Sequence, residues 1–521
     1  MDDRRGHGRV PGSRAWPRGV ALLVLGIAGA TVHAAAEPES PSTRSAQADA
    51  IRHDADGRAY RIERVAKAGA KYERIGAHTV RYFPFARYEV AREDADYFYV
   101  KQYLPVEQKP VAPAMPAPAP VDLPRTNRYA LRDFGRGLPH AGQWRGEFAL
   151  ADVDGDGHLD LAFAPPRKSL SKPVILRGDG QGEWTRWTAS QWPALPYDYG
   201  AAVAADFDAD GHVDLAFAMH LRGLAVLGGD GKGGFVRRDG GLPLGAPGSR
   251  TPATYSSHQL GTLDWNGDRR PDLIALDERL LGRAHPYGSV AIFVGGRGAW
   301  KHAALPQAKL PRGNLSLARI AGGRGDRAIV IGDAADGRLA AYEFAAGRVV
   351  ARVLDGVPAG ALLRVGAAAD AGDGKPVLAI AYQSRTRKGW QTAVDLFRRQ
   401  GEGYVREPLL VELTLTIGAL AYGHLASARA FDLAALRSDG ALLLFAADGK
   451  GSYTRDREQP APSWRAGCSG HALHLRDLDG DGRDEIVAAF AGEPNAMMFR
   501  RDCTAGGGID AWHVDEAPVQ R

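Results

Sequence analysis

Four short stretches of this chain crowd carboxylates at alternate positions. In ADVDGDGHLDLAF (residues 151–163), Asp152, Asp154, Asp156 and Asp160 stand at offsets 0, 2, 4 and 8. ADFDADGHVDLAF repeats them as Asp206, Asp208, Asp210 and Asp214, and LDWNGDRRPDLIAL as Asp264, Asn266, Asp268 and Asp272. RDLDGDGRDEIVAAF supplies Asp477, Asp479, Asp481 and Glu485. Acids packed this closely repel one another unless a cation neutralises them, and hard oxygen donors at alternate positions suit Ca²⁺. An EF-hand would need a bidentate Glu at its twelfth position and flanking helices. In the first stretch that position holds Phe163, and the flanks read as strands.

The elements that position these acids follow from what comes after them. Each acidic stretch runs into a short apolar segment such as Leu-Ala-Phe-Ala, the pattern of a buried strand. A second strand, a Gly-rich turn and an aromatic follow, as in VILRGDGQGEW, AVLGGDGKGGF and VAIFVGGRGAW. The first acids are 54 and 58 residues apart, and the last gap of 213 is four intervals of about 53. That spacing requires three further units, found by their second halves: LAAYEFAAGRVV, AVDLFRRQGEGY and LLLFAADGKGSY. A weaker seventh half is AMMFRRDCTAGGGI. The eroded loops of the extra units lie near 319–330, 369–380 and 424–433, where the strand is kept and most acids are gone. A period near fifty indicates propeller blades or a solenoid.

With its DxDxDGxxDL motif four times at blade spacing, the chain resembles the FG-GAP/VCBS repeat family of calcium-binding β-propellers, from about Asn127 onward. The family's Phe-Gly and Gly-Ala-Pro dipeptides are mostly missing, apart from Phe134-Gly135 and Gly245-Ala246-Pro247. The resemblance implies an all-β, seven-bladed β-propeller of four-stranded blades, innermost strand first. Each acidic loop then lies between the first two strands. The backbone carbonyls of His158, His212, Arg270 and Arg483, at offset 6, join the side chains around the ion. About four structural Ca²⁺ are expected, one per intact loop. Loop three should be weakest, because Asn266 carries no charge and Arg269 replaces a Gly.

Ahead of the propeller the chain divides three ways. Residues 1–36 read as a signal peptide: five arginines, an apolar run over 20–32 and a small-residue site at Ala34-Ala35-Ala36. Export to the periplasm or the outside follows, with no transmembrane anchor after cleavage, since that run is too short and Gly-broken to span. Residues 37–104 hold a polar lead, expected to be disordered to about Ala55, and a small antiparallel β module rich in Tyr and Phe. Residues 105–125 are a Pro/Ala linker, and 126–521 the propeller. Segments 129–134 and 509–514 both look like outer strands. The C-terminal one is expected to complete the last blade, with the N-terminal one beside it.

In an exported chain, Cys468 and Cys503 are expected to form a disulfide. It closes a loop of 35 or so residues, worth about 3–4 kcal/mol in the chain-entropy picture. The two Arg-Gly-Asp tripeptides sit in turns that already favour Gly and Asp. His424, His471, His474 and His513 are scattered and read as ordinary polar residues.

No nucleophile elbow, phosphate loop or dinucleotide fingerprint is present. The formal charge is +5, or +2 without the leader. With fifteen acids committed to the loops, the remaining surface carries about +17. Such a surface either favours acidic polymers or serves solubility. The expectation is a monomeric, non-catalytic binding or adhesion module for a glycan, an anionic polymer or a protein surface, with no nucleic-acid partner. Trp144, Trp187, Trp265, Trp390 and Trp464 are the candidate sugar-stacking residues. The alternative is a secreted carbohydrate-active enzyme, a lyase or hydrolase, on the same scaffold.

Overall fold

The computed structural model describes most of residues 52–103 and 123–517; the longest gaps inside them are 54–58, 247–254, 279–286, 462–466 and 493–502. The signal segment, nearly all of the polar lead and most of the Pro/Ala linker lie outside the described residues. The chain separates into two units, Met1–Lys109 and Pro110–Arg521. Among the described residues all regular elements are strands apart from isolated turns.

The first unit is one antiparallel sheet in the order Arg52–His53, Ala59–Ala66, Tyr97–Tyr103, Ala86–Glu93, Thr79–Tyr82, Tyr72–Gly76. Structure therefore begins earlier than the lead was expected to end, because Arg52 and His53 pair with Tyr60 and Ala59. Its core is small: Val80, Val90, Phe98 and Val100, with Val65 against them. Of the aromatic stripe, Phe98 points inward. Tyr97 and Tyr99 lie half-buried under the guanidinium groups of Arg64 and Arg92, at 4.3 and 3.6 Å.

The second unit is a succession of four-stranded antiparallel groups. The first runs outward as Ala149–Ala151, Asp160–Phe163, Val174–Gly178 and Trp184–Arg186. The second is Gly200–Ala205, Asp214–Met219, Gly223–Gly229 and Phe235–Arg237, and the third Gln259–Leu263, Asp272–Leu276, Val290–Val294 and Lys301–His302. The fourth group (Arg312–Ala321, Arg327–Asp333, Leu339–Ala345, Arg348–Val353) and the fifth (Leu362–Ala369, Val377–Thr386, Gly389–Gln400, Gly403–Glu412) share one eight-stranded sheet, because Arg319–Ala321 pairs in parallel with Ala367–Ala369. The sixth is Ile417–Gly423, Asp432–Arg437, Leu442–Ala447 and Tyr453–Arg455.

Middle strands such as Asp214–Met219 and Gly223–Gly229 are buried along their whole length. Their apolar runs are therefore continuous rather than alternating. The outermost strands of the first two groups are short, with exposed tips (Trp184–Arg186 and Phe235–Arg237), which blunts those sheet edges.

Core clusters form between successive groups, and the last group packs on the first. Phe148, Leu161 and Trp184 meet Ala472, Val487 and Ala511 there. The sheets therefore close into a ring. The last sheet runs Ser469–Arg476, Glu485–Ala491, Gly507–Glu516 and then Tyr129–Asp133, with Trp512 opposite Asp133 and Glu516 opposite Tyr129. The beginning of the unit thus supplies the outermost strand beside the C-terminal one. The half-unit read at AMMFRRDC falls mostly outside the described residues, and the third strand begins later, at Gly507.

The linker boundary also moves. Arg455 N–H donates to Pro124 C=O and Thr126 N–H to Arg455 C=O. Leu123 packs against the core between the fifth and sixth groups, so the last linker residues are part of the ring. Cys468 and Cys503 form a disulfide, Cα–Cα 4.7 Å, buried in the core between the sixth and last sheets.

Candidate functional site

In each intact loop the acids divide into two kinds. The offset-0 carboxylate is bound by its own loop: Asp152 Oδ1 accepts the Gly155 and Asp156 N–H groups, and Oδ2 accepts Gly157 N–H. Asp206, Asp264 and Asp477 make the corresponding bonds. The offset-4 acids accept the N–H of the offset-6 residues, from His158, His212, Arg270 and Arg483, at 2.8–2.9 Å.

This curl needs left-handed backbone. Gly155 and Gly157 supply it at φ 74° and 93°, while Ala209 and Arg269 are forced to 62° and 66°.

The offset-8 acid is of the other kind. Asp160, Asp214, Asp272 and Glu485 are fully buried at the start of the second strand. One oxygen accepts the offset-1 N–H, from Val153, Phe207, Trp265 or Leu478. In the first three loops the other oxygen accepts an N–H at the end of the third strand, from Gly178, Gly229 or Gly295. The acid therefore ties loop, second strand and third strand together.

Burial pushes the Asp160 carboxyl up to about 7, against the bonds from Val153 and Gly178, and Asp154 and Asp156 add to the rise. Burial likewise pushes Asp214 up to about 6 and raises Asp272. A cation at the loop would oppose this rise by favouring the ionised form.

The structure brings three of the predicted sets together. Asp152, Asp154 and Asp160 place one oxygen each within 4.8 Å of one another, as do Asp206, Asp208 and Asp210, and Asp477, Asp479 and Asp481. Oxygens that close fit around a cation with bonds of about 2.3–2.6 Å. Asp264, Asp268 and Asp272 form no such set among the described residues. In that loop Asn266 Nδ2 donates to Asp268 instead. The offset-2 acids also meet a base from outside the loop: Arg177 reaches Asp154 at 3.1 Å and Arg238 reaches Asp208 at 3.3 Å. Arg177 of the first Arg-Gly-Asp is thus engaged, and Asp179 caps the Gln181 and Glu183 N–H groups.

The tryptophan expectation needs correction. Trp144 and Trp265 are core residues, against Phe163 and Phe344. Trp390 is exposed on a strand, and Trp464 lies outside the described residues. Trp187 does line a pocket of about 410 Å³ with Trp192, Lys172, Arg186, Thr188 and Ser190. Arg177 lies 5.7 Å from the Trp187 ring, and Trp192 stacks on Phe235 at 4.4 Å.

Sequence reasoning missed two arrangements. At the ring axis the first strands of successive groups line a cavity of about 300 Å³ with mostly small and apolar side chains. Among the described lining residues Glu147 is the one carboxylate. Its Oε2 lies 3.0 Å from His474 Nε2 and 3.2 Å from an Arg319 guanidinium nitrogen. Burial drives His474 down to about 4, with Arg319 adding to the fall and Glu147 opposing it, so a neutral imidazole donates to Glu147. Burial pushes Glu147 up, but the His474 bond and the Arg319 charge outweigh it and hold the carboxyl below its usual range. No spacing in the sequence signals a contact between residues 327 apart.

The second is Asp432, in a loop counted as eroded. Its Oδ2 accepts the Leu425 and Ala426 N–H groups and its Oδ1 accepts Ala447 N–H, the same tie as at Asp160. The Asp-Leu pair opening the strand, shared with Asp160-Leu161, was the available signal.

Residues 152–217 match the family model for the FG-GAP-like repeat. A search of curated proteins finds no match. Among solved structures, the BP39L lectin of Burkholderia pseudomallei is 13% identical, with TM-score 0.45, covering 72% of this chain and 99% of its own. The alpha-L-arabinanase of Penicillium chrysogenum is 11% identical, TM-score 0.41, covering 74% and 98%. A six-bladed β-propeller lectin of Aleuria aurantia is 15% identical, TM-score 0.34, covering 62% and 99%.

Proposed function

We propose that this FG-GAP-repeat chain is an exported, calcium-stabilised, seven-bladed β-propeller that binds a glycan. The pocket of Trp187 and Trp192 carries the reading. An indole face takes the C–H face of a sugar ring, and Lys172 and Arg186 beside it suit an acidic substituent. Calcium is supported by the all-oxygen donor sets of the first two loops, and export by the Cys468–Cys503 disulfide. Binding is favoured over hydrolysis by the axial cavity. Glycoside hydrolysis uses two carboxylates across the scissile bond, and among the described lining residues Glu147 stands with His474 and Arg319 rather than with a second acid.

The test incubates the mature protein with neutral and acidic polysaccharides in calcium. It follows co-sedimentation across salt and the appearance of new reducing or unsaturated ends. Retention that falls about tenfold in Trp187→Ala, at unchanged calcium content, supports the reading. Turnover, lost on Glu147→Gln, would replace it with the enzyme. Retention by Trp187→Ala equal to wild type would remove the pocket from the account. Attachment to acidic polymer that disappears at high salt would assign it to the basic groups rather than the indoles.

A further inference from the structure

We infer that the last acidic loop is a mixed nitrogen–oxygen site for a borderline divalent cation of the Zn²⁺ type, held by Asp479, Glu485 and His513. These three place one donor atom each within 4.8 Å of one another, and the imidazole comes from the third strand of the sheet rather than from the loop. His513 Nδ1 lies 2.7 Å from Glu485 Oε1 and 3.3 Å from Asp479 Oδ2. A tetrahedral cation with bonds of about 2.0–2.2 Å needs neighbouring donors about 3.3–3.6 Å apart, so the Asp479 contact already has the spacing and the Glu485 contact, a hydrogen bond in the ion-free chain, has to open by under about 1 Å. Imidazole with carboxylate is a donor set for zinc and its neighbours, whereas calcium takes oxygen alone.

Two further features point the same way. The other ring nitrogen, Nε2, lies 3.3 Å from Asp515 Oδ1. In the ion-free chain Nδ1 makes the shorter contact, 2.7 Å to Glu485 Oε1; a cation would take the place of the proton there, with Asp515 beside Nε2 to receive the N–H that results. Arg483, whose guanidinium also lies 3.3 Å from Nε2, is held by Asp481 with its Nε at 3.0 Å. Both Asp481 oxygens are thus engaged by Arg483, one by its N–H and one by its guanidinium, so this acid has less to offer a cation than Asp479, Glu485 and His513.

The comparison with loop one is the most telling. Leu161 pairs with Leu176 and Ile486 with Trp512, so Arg177 and His513 occupy the same register position. Both face the offset-2 acid. A guanidinium has no lone pair and can only neutralise that acid, whereas an imidazole can share a metal with it. His513 is also buried, at 3% exposure, so solvent does not compete for Nδ1.

The inference stands apart from the glycan and calcium readings, because it survives if neither ligand binds. The untagged mature chain, stripped with chelator, is titrated with Zn²⁺ in saturating Ca²⁺ by calorimetry. Co²⁺ is then added in place of Zn²⁺, and paramagnetically shifted imidazole N–H resonances are recorded. One Zn²⁺ per chain is expected, with a shifted N–H from His513. His513→Gln should lose the shifted signal and weaken Zn²⁺ at least tenfold, and Asp515→Asn should weaken it about tenfold. Asp479→Asn, at an exposed loop position, repeats the test should His513→Gln fail to fold. Asp152→Asn should leave Zn²⁺ unchanged. No Zn²⁺ uptake against Ca²⁺, or equal uptake by Asp479→Asn, or a Co²⁺ complex without a shifted imidazole, would overturn the inference.

Discussion

The loop at 152–160 and the loop at 424–432 share one frame and differ in charge. Both end on a buried aspartate that accepts N–H groups from offset 1 and from the end of the third strand, Asp160 from Val153 and Gly178, Asp432 from Leu425 and Ala447. Only the first has acids at offsets 0, 2 and 4; the second has His424, Ala426 and Ala428 there. The offset-8 acid therefore serves the fold with or without a cation, and the exposed acids are the addition that suits a cation. The position is not obligatory either. Arg327 holds it in the fourth group, pairing with Glu343 and Asp370, and Val377 holds it in the fifth. What the ring requires there is a satisfied or apolar side chain, because an unpaired buried charge is costly.

Metal removal is the strongest way to divide the two loops. If loops one and two hold Ca²⁺, each stabilises the protein by about 2.7 kcal/mol at a hundredfold excess of ion over Kd. Chelation should then lower Tm markedly, and Asp154→Asn with Asp156→Asn should remove part of that sensitivity. A Tm indifferent to chelator would abolish the distinction between the loops.

Next in size is Asp432→Ala. It leaves buried N–H groups of Leu425 and Ala447 without acceptors, at about 1–3 kcal/mol each. A loss of about 4 kcal/mol in denaturant unfolding is expected, equal with and without chelator. A chelator-dependent loss would mean that this loop, too, is metal-linked.

Acid should weaken a third place, the seam where the last group meets the first. His474 has its folded pKa lowered to about 4 from 6.5. Its contribution is therefore fully present above pH 6.5 and is lost as pH falls toward 4, because the unfolded imidazole takes up a proton that the folded one refuses. Over that window the loss approaches about 3 kcal/mol. In chelator the raised carboxyls of Asp160 and Asp214 pull the other way in both proteins, so the test is the difference: His474→Gln should lose less stability, or gain more, than wild type between pH 7 and 5, and identical profiles would exclude His474 as the cause.

The smallest effect belongs to loop backbone. Ala209 and Arg269 adopt left-handed φ where other loops have Gly. Ala209→Gly and Arg269→Gly should each stabilise by about 0.5–1 kcal/mol, the relief of strain less the entropy of Gly. Destabilisation by either, measured by denaturant midpoint, would show that the side chain contributes more than the strain costs.

The sequence by itself determined the local frame. Acids at alternate positions, Gly at the left-handed turns and an Asp-Leu before an apolar run specify a curled loop feeding a buried strand, because each of these is a short-range demand of the backbone. Repetition of that frame at a spacing near fifty then made the all-β repeat architecture legible, including the stretch 152–217 that matches the FG-GAP-like repeat. Tertiary structure decided which side of each residue meets what. Trp144 and Trp265 turned inward because neighbouring groups pack face to face. Asp432 was kept because two strand ends need its oxygens. His513 reached Glu485, 28 residues away, and His474 reached Glu147, 327 residues away, through strand register and ring closure. Those contacts depend on how strands align and on where the ring begins and ends, and short-range spacing carries no record of either.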